Sequence, residues 1–93
     1  MFQIVFTPLA IRQLKKMKRY HAAMIVDAIE THLSNEPEQT HGSIKRLRGR
    51  QEATFRLRVR DYRIFYDVSE DEVAVIQILH KSRTGAFYEK EDK

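Results

Sequence analysis

Hydrophobic positions change their spacing several times along the chain, and each change marks an element. Phe2 to Phe6 is a short apolar run rich in strand formers, closed by Thr7 and Pro8, which suit the cap and first positions of a helix. Ala10, Leu14 and Met17 then fall on one helical stripe, with Arg12, Lys15, Lys16 and Arg19 on the remaining surface. After a break near Arg19 and Tyr20, a second helix carries the clearest stripe in the chain. Ala22, Ile25, Val26, Ile29 and Leu33 repeat at helical spacing, and Asn35 and Pro37 end it. Glu36 to Ser43 is polar, with Pro37 and Gly42, and reads as a loop.

The second half changes period. Ile44 to Leu47 suits a short edge strand, and Arg48-Gly49-Arg50-Gln51 turns the chain into FRLRVRDYRIFYDV, Phe55 to Val68, where apolar residues alternate with arginines. Val73 to Leu79 is apolar on both faces apart from Gln77, as an inner strand requires, and Ser69-Glu70-Asp71 links it to the preceding strand. These elements predict one α+β domain over residues 1–93. Its small antiparallel-rich sheet has about four to five strands, and an N-terminal helix pair packs on one face (β-α-α-β-β-β).

A hairpin with Arg60 and Asp61 as its two loop residues pairs Val59 with Tyr62, Arg58 with Arg63, Leu57 with Ile64 and Arg56 with Phe65. One face is then wholly apolar: Phe55, Leu57, Val59, Tyr62, Ile64, Tyr66 and Val68. The other face gathers Arg56, Arg58, Arg63 and Phe65. Like charges opposite each other on paired strands destabilise, so folding alone gives no reason to set Arg58 against Arg63. A phosphate or carboxylate between them would, because the planar guanidinium fork binds two oxygens at once. A solvated sheet face that guards an edge against aggregation is the alternative. Arg60 also stands where a tight turn prefers Gly or Asn, and a longer loop would break the Arg58–Arg63 pairing.

Charge sharpens this picture. Seventeen Lys and Arg against thirteen Asp and Glu give a formal net charge of +4, and the basic residues cluster. Lys45 to Arg63 alone holds eight of them, while acidic residues gather at Glu36 and Glu38, at Glu70 to Glu72 and in the last five positions. Such segregation favours an anionic partner on one side, or else forms a solvated basic face. No apolar run approaches a membrane span, and the first residues do not form a secretory signal, so a cytoplasmic protein is expected. With no cysteine, disulfides and thiolate chemistry are excluded. His21, His32 and His41 lack ligand spacing; neither a metal nor another cofactor is expected, and these histidines are assigned no function.

KRLRG at Lys45 to Gly49, RLRVRDYRIFYDV at Arg56 to Val68, and VAVIQILHK running on to Phe87 and Tyr88 resemble the RelE/ParE toxin superfamily of type II toxin–antitoxin systems. The resemblance spans nearly the whole chain. For the RelE branch it implies a messenger RNA endoribonuclease acting in the ribosomal decoding site, in which a ribose 2′-hydroxyl attacks the neighbouring phosphodiester without metal. It implies three partners, a cognate antitoxin, the ribosome and mRNA, with a monomer when free and a hetero-oligomer when bound to antitoxin. The ParE branch implies instead a non-enzymatic toxin that binds DNA gyrase, and an inactive relative that only binds antitoxin is a third possibility.

Carried over by position, Arg63 matches the arginine that contacts the scissile phosphate. Arg56 and Lys81 match further basic positions, and Tyr88 matches the tail tyrosine that acts as base or orienter. Arg58, Lys45, Arg46, Arg48 and Arg83 join an RNA-binding set, with Phe65 as a base-stacking platform or a packing residue. The chain departs from the family pattern at Arg60, where glycine is usual, at Thr54, where a second lysine occurs, and in the tail SRTGA. The reaction needs a proton taken from the 2′-hydroxyl, stabilisation of charge on phosphorus and a proton for the leaving oxygen. Tyrosine is a poor base at its ordinary pKa of about 10 unless cations favour the phenolate. His80 suits proton transfer at neutral pH, or is a strand-end histidine satisfied by the backbone.

Overall fold

The computed structural model describes residues 1–48 and 53–83. Strand β1 (Gln3–Phe6) leads into helices α1 (Pro8–Lys15) and α2 (Arg19–Leu33). Four strands follow, β2 (Ile44–Arg46), β3 (Phe55–Val59), β4 (Tyr62–Ser69) and β5 (Glu72–His80), and a 3-10 turn spans Lys81–Arg83. They form one five-stranded sheet in the order β1-β5-β4-β3-β2. All neighbours are antiparallel except β1 and β5, which pair in parallel with Ile4 beside Val73 and Phe6 beside Val75. This is the expected α+β arrangement with its helices at the N-terminal end. Residues 49–51 of the expected turn lie outside the described residues.

Thr7 sets the entry to the helices. Its hydroxyl accepts the Ala10 N–H at 3.1 Å, as an N-cap should, and donates to the Ile76 carbonyl of β5 at 2.7 Å. Pro8 then occupies the first turn, where its missing N–H has no consequence. Beyond Phe6 the edge of β5 has lost its parallel neighbour, and α1 supplies the partners. The Thr7 N–H donates to the Val75 carbonyl at 3.0 Å, and Gln13 Oε1 accepts the Ile78 N–H at 2.6 Å. An edge that would otherwise offer unpaired backbone is therefore closed by one helix.

The core lies between the helix pair and one sheet face. Ile25, Ile29 and Leu33 of α2 and Ala10 of α1 are fully buried against Leu57, Ile64, Tyr66, Val73, Val75 and Ile78. Ala22 and Val26 are only half-buried, so the inward stripe of α2 is the narrower i, i+4, i+8 row. On β5 a register shift opposite Phe65 and Tyr66 leaves Ile76 as an extra residue, because Phe65 pairs with Gln77 and Tyr66 with Val75. That bulge lets Val73, Val75 and Ile78 all face the helices despite their uneven spacing. The Tyr66 hydroxyl donates to the Pro37 carbonyl at 2.6 Å and pins the loop after α2. Burial holds its phenol well above the ordinary range, with Glu38 adding to the shift and Arg56 opposing it, so it remains a donor.

Both hairpins turn in two residues, and in each the first takes a left-handed backbone: Arg60 at φ 52° and Glu70 at φ 42°. The tight β3–β4 turn is therefore made with arginine where glycine is the easier choice. Among the described residues no helix is long and apolar enough to cross a membrane.

The start of α2 is left without local support. Its N-cap is Lys18, which makes no side-chain capping bond, and the first turn carries no acidic residue. The first N–H groups of the helix therefore have no side-chain cap from Lys18, and the neighbouring cations oppose the helix dipole. Lys18→Asp supplies both a cap and a favourable charge and should raise unfolding stability by about 1 kcal/mol. Denaturant unfolding measures this as a higher midpoint at constant slope; an unchanged midpoint would show that the α2 terminus is already satisfied.

Candidate functional site

The β3–β4 register is the one the alternation predicts: Phe55 pairs with Tyr66, Arg56 with Phe65, Leu57 with Ile64, Arg58 with Arg63 and Val59 with Tyr62. Residues alternate across the sheet, so burying Leu57 and Ile64 under the helices places Arg56, Arg58 and Arg63 together on the opposite face. Lys45 of β2 pairs with Arg56 and joins them. The face therefore carries two successive like-charged cross-strand pairs, Lys45 with Arg56 and Arg58 with Arg63. The Arg58 N–H donates to the Ser43 carbonyl at 2.8 Å on the β2 side, so toward β4 it belongs to a non-hydrogen-bonded pair, the closer kind.

The arginines divide as that repulsion requires. Arg58 reaches toward the loop before β2, with Nη2 donating to the Gly42 carbonyl at 3.4 Å. Arg63 turns the other way, and its Nη1 donates to the carbonyls of Arg60 and Tyr62, each at 3.1 Å. Arg56 is half-buried, and its Nε is buried with no hydrogen-bond partner among the described residues. An orphaned charged donor of this kind costs about 1–3 kcal/mol unless something outside the fold completes it.

Other expected site residues do not join this face. Phe65, expected as a base-stacking platform or a packing residue, lies on it but is fully buried at 0% exposure, as a packing residue is. Arg46 pairs with Phe55 on the helix side, its guanidinium 5.5 Å from that ring's centroid. Arg48 and Arg83 are exposed, one beyond β2 and the other in the final 3-10 turn. Lys81 holds the hairpin tip: its N–H donates to the Asp61 carbonyl at 2.6 Å, and its Nζ stands 3.5 Å from Asp61 Oδ1. Both side chains are well exposed, so that ion pair contributes little to stability. Thr54, where the family pattern has a lysine, uses its N–H on Asp67 Oδ1 at 2.6 Å. Tyr88 lies outside the described residues.

His80 pairs with Tyr62, and Tyr62 faces the helices, so His80 and Arg63 stand on opposite sides of the sheet. Its Nδ1 accepts the Ser82 N–H at 3.2 Å and lies 3.0 Å from the Ser82 hydroxyl, the backbone-satisfied strand end that was the alternative to proton transfer. The Tyr62 and His80 rings meet edge to face at 5.4 Å. Tyr62 also contacts His21, with its hydroxyl 3.4 Å from Nδ1, and His21 in turn lies against Tyr20 at 4.3 Å between centroids. These four rings, with Met24, Arg60 and Asp61, line a cleft of about 420 Å³. The sequence pattern gives no sign of it, because His21 approaches Tyr62 across 41 positions of chain. Among the described residues no group of three or more His, Cys, Asp or Glu could hold a metal ion.

The profile of the family described as the ParE toxin of type II toxin-antitoxin systems, parDE, matches residues 4–85. Solved structures share the fold. The RelBE2 toxin-antitoxin complex from Mycobacterium tuberculosis contains a chain 28% identical, with a TM-score of 0.72 over 85% of this chain and 96% of that one. A chain of the YoeB-YefM complex from Staphylococcus aureus is 15% identical with a TM-score of 0.67, covering 86% and 97%. One from the archaeal RelE-RelB complex of Pyrococcus horikoshii is 16% identical with a TM-score of 0.63, covering 88% and 97%. No curated protein sequence matches significantly.

If the basic face is held against its own repulsion, removing charge there should stabilise the free protein. Arg56→Met keeps the apolar stem, removes the orphaned Nε and ends the repulsion with Lys45. The free chain should gain about 1 kcal/mol, measured by denaturant unfolding. A loss of comparable size would show that the guanidinium is a structural group.

Proposed function

The chain belongs to the ParE toxin family of type II toxin-antitoxin systems, within the RelE/ParE superfamily, and from that membership we propose that it is a ribosome-dependent endoribonuclease that inhibits translation. The observation that supports this reading is the face on which Arg58 opposes Arg63 and Lys45 opposes Arg56, with the Arg56 Nε unpartnered. A phosphodiester seated between the pairs would convert repulsion into charge-assisted hydrogen bonds. In the proposed reaction Arg63 and Arg56 stabilise the charge that builds on the phosphorus oxygens as the 2′-hydroxyl attacks. Arg58 and Lys45 hold neighbouring phosphates, and Lys81 lies beside them at the hairpin tip. Tyr88 takes or orients the 2′-hydroxyl proton, a role His80 is badly placed to share from the other side of the sheet.

The partner proposed for the resting state is an acidic, partly disordered antitoxin that covers the basic face. Opposite charge speeds such an association, and salt should slow it. A second reading has one observation in its favour: the matched family carries the ParE name, and resemblance to that branch implies a toxin that binds DNA gyrase without cleaving RNA. Mapping transcript ends after induction, while following DNA supercoiling, separates the two. New 5′ ends within translated messages at normal supercoiling are expected; altered supercoiling with intact transcripts would favour the gyrase reading.

Two substitutions test the assigned roles in single-turnover cleavage of a ribosome-bound message. Arg63→Gln should slow the chemical step about 100-fold to 1,000-fold, the range for losing one donor to a developing oxyanion. Tyr88→Phe loses only the phenolic oxygen, and should cost about 100-fold to 10,000-fold while leaving ribosome binding intact. Normal cleavage by either variant would remove that residue from the mechanism.

A further inference from the structure

The aromatic cleft lies on the far side of the hairpin from the phosphate-binding face, and the assigned reaction makes no use of it. Its walls are Tyr20, His21, Tyr62 and His80, with Met24 at the base of α2 and Arg60 and Asp61 from the hairpin tip. At about 420 Å³ it falls in the range of about 300–1,000 Å³ typical of small-ligand sites. Tyr20 is 68% exposed and lies against the His21 ring, so its own ring is open at the mouth of the cleft. Each imidazole commits its Nδ1 inside the protein, His80 to Ser82 and His21 to the Tyr62 hydroxyl. Neither Nε2 has a hydrogen-bond partner among the described residues, so each is the ring nitrogen left for a ligand. An aliphatic side chain in the cleft would leave those nitrogens without partners, whereas a planar heterocycle with donors and acceptors on its edge satisfies them while stacking on the rings.

The two faces meet at the hairpin tip. Arg60 lines the cleft, and its carbonyl accepts the guanidinium of Arg63 from the basic face. A strand whose phosphates lie along Arg58 and Arg63 reaches the cleft by crossing one residue. We propose that this cleft is a base-binding subsite, which takes one unstacked base of a single-stranded RNA whose backbone crosses the hairpin at Arg60. This inference rests on the reading of the basic face as an RNA site, and it adds a recognition element that the reaction itself does not require. Tyr20 supplies the stacking surface and the Nε2 atoms of His21 and His80 meet the edge of the base, so the cleft contributes to the choice of nucleotide beside the cut.

The test is equilibrium binding of the free toxin to a short 2′-O-methyl RNA, which cannot be cleaved, and to the same strand with one position abasic. Tyr20→Ala should weaken binding to the full strand about 5-fold to 150-fold, the range of base–aromatic stacking. Its salt dependence should be unchanged, because no charge is lost. Tyr20→Phe keeps the ring and should bind as the parent does, and an abasic position matched to the cleft should reproduce the loss. Arg58→Gln should instead lower the dependence on log salt by about 0.7, one phosphate contact to a single strand. Tyr20 is exposed, so an unchanged unfolding midpoint is expected for Tyr20→Ala.

Parent-like binding by Tyr20→Ala, with Arg58→Gln still weakened, would overturn the subsite and leave the basic face as the RNA site. Loss of antitoxin affinity without loss of RNA affinity would assign the cleft to the protein partner and also overturn it. An RNA that the parent protein does not bind at all would overturn the basic face as an RNA site of the free toxin, and the subsite with it.

Discussion

Burial of Leu57, Ile64 and Ile78 beneath the helix pair fixes the register of the β3–β4–β5 ribbon, and that register decides where every charged residue of the ribbon must go. A slip of one residue would send the arginines into the core, so the register is not negotiable. With the apolar row committed inward, Arg56, Arg58 and Arg63 have only the outer face, and Lys45 follows from the pairing of Ile44 with Leu57. The repulsion on that face is thus a consequence of the core. What the core does not dictate is the identity of those residues. Any polar residue would satisfy the alternation, and placing cations opposite each other twice is unfavourable to folding.

Several departures from local folding rules involve cations. Arg60 accepts a left-handed backbone in the hairpin turn, Lys18 leaves α2 uncapped and Arg56 buries an unpartnered Nε. Glu70 takes the same left-handed backbone in the β4–β5 turn, whereas Thr7 caps α1 and Gln13 completes the open edge of β5. Proteins commonly tolerate local inconsistency where a ligand, not the fold, has selected the residue. The departures at Arg60, Lys18 and Arg56 each add or retain positive charge, which an anionic partner would explain.

The fold was legible where one period ran without interruption. Alternation from Phe55 to Val68 gave both the apolar face and the pairing of Arg58 with Arg63, and Thr7-Pro8 marked the start of α1. Legibility failed at the bulge. Ile76 is an extra residue that no alternation announces, and the pairing of Tyr62 with His80 depends on it, so the side of the sheet on which His80 falls could not be read. The cleft was hidden for a related reason: Tyr20 and His21 open a helix whose stripe points elsewhere, and only the docking of α2 brings them to Tyr62. Phe65 was assigned to the correct face, but its complete burial there is a property of packing that spacing does not carry.

That the Arg58–Arg63 pair is kept for a ligand can be measured as a sign. A double-mutant cycle of Arg58→Gln and Arg63→Gln isolates the energy of the pair, once in denaturant unfolding of the free protein and once in binding to an uncleavable RNA. In the free protein the two arginines should couple unfavourably, by about 0.2–1 kcal/mol. In RNA binding they should couple favourably, because a phosphate held by both forks loses more than the sum when the second is removed. A favourable coupling in the free protein, with none in RNA binding, would make the pair a structural element and contradict the account.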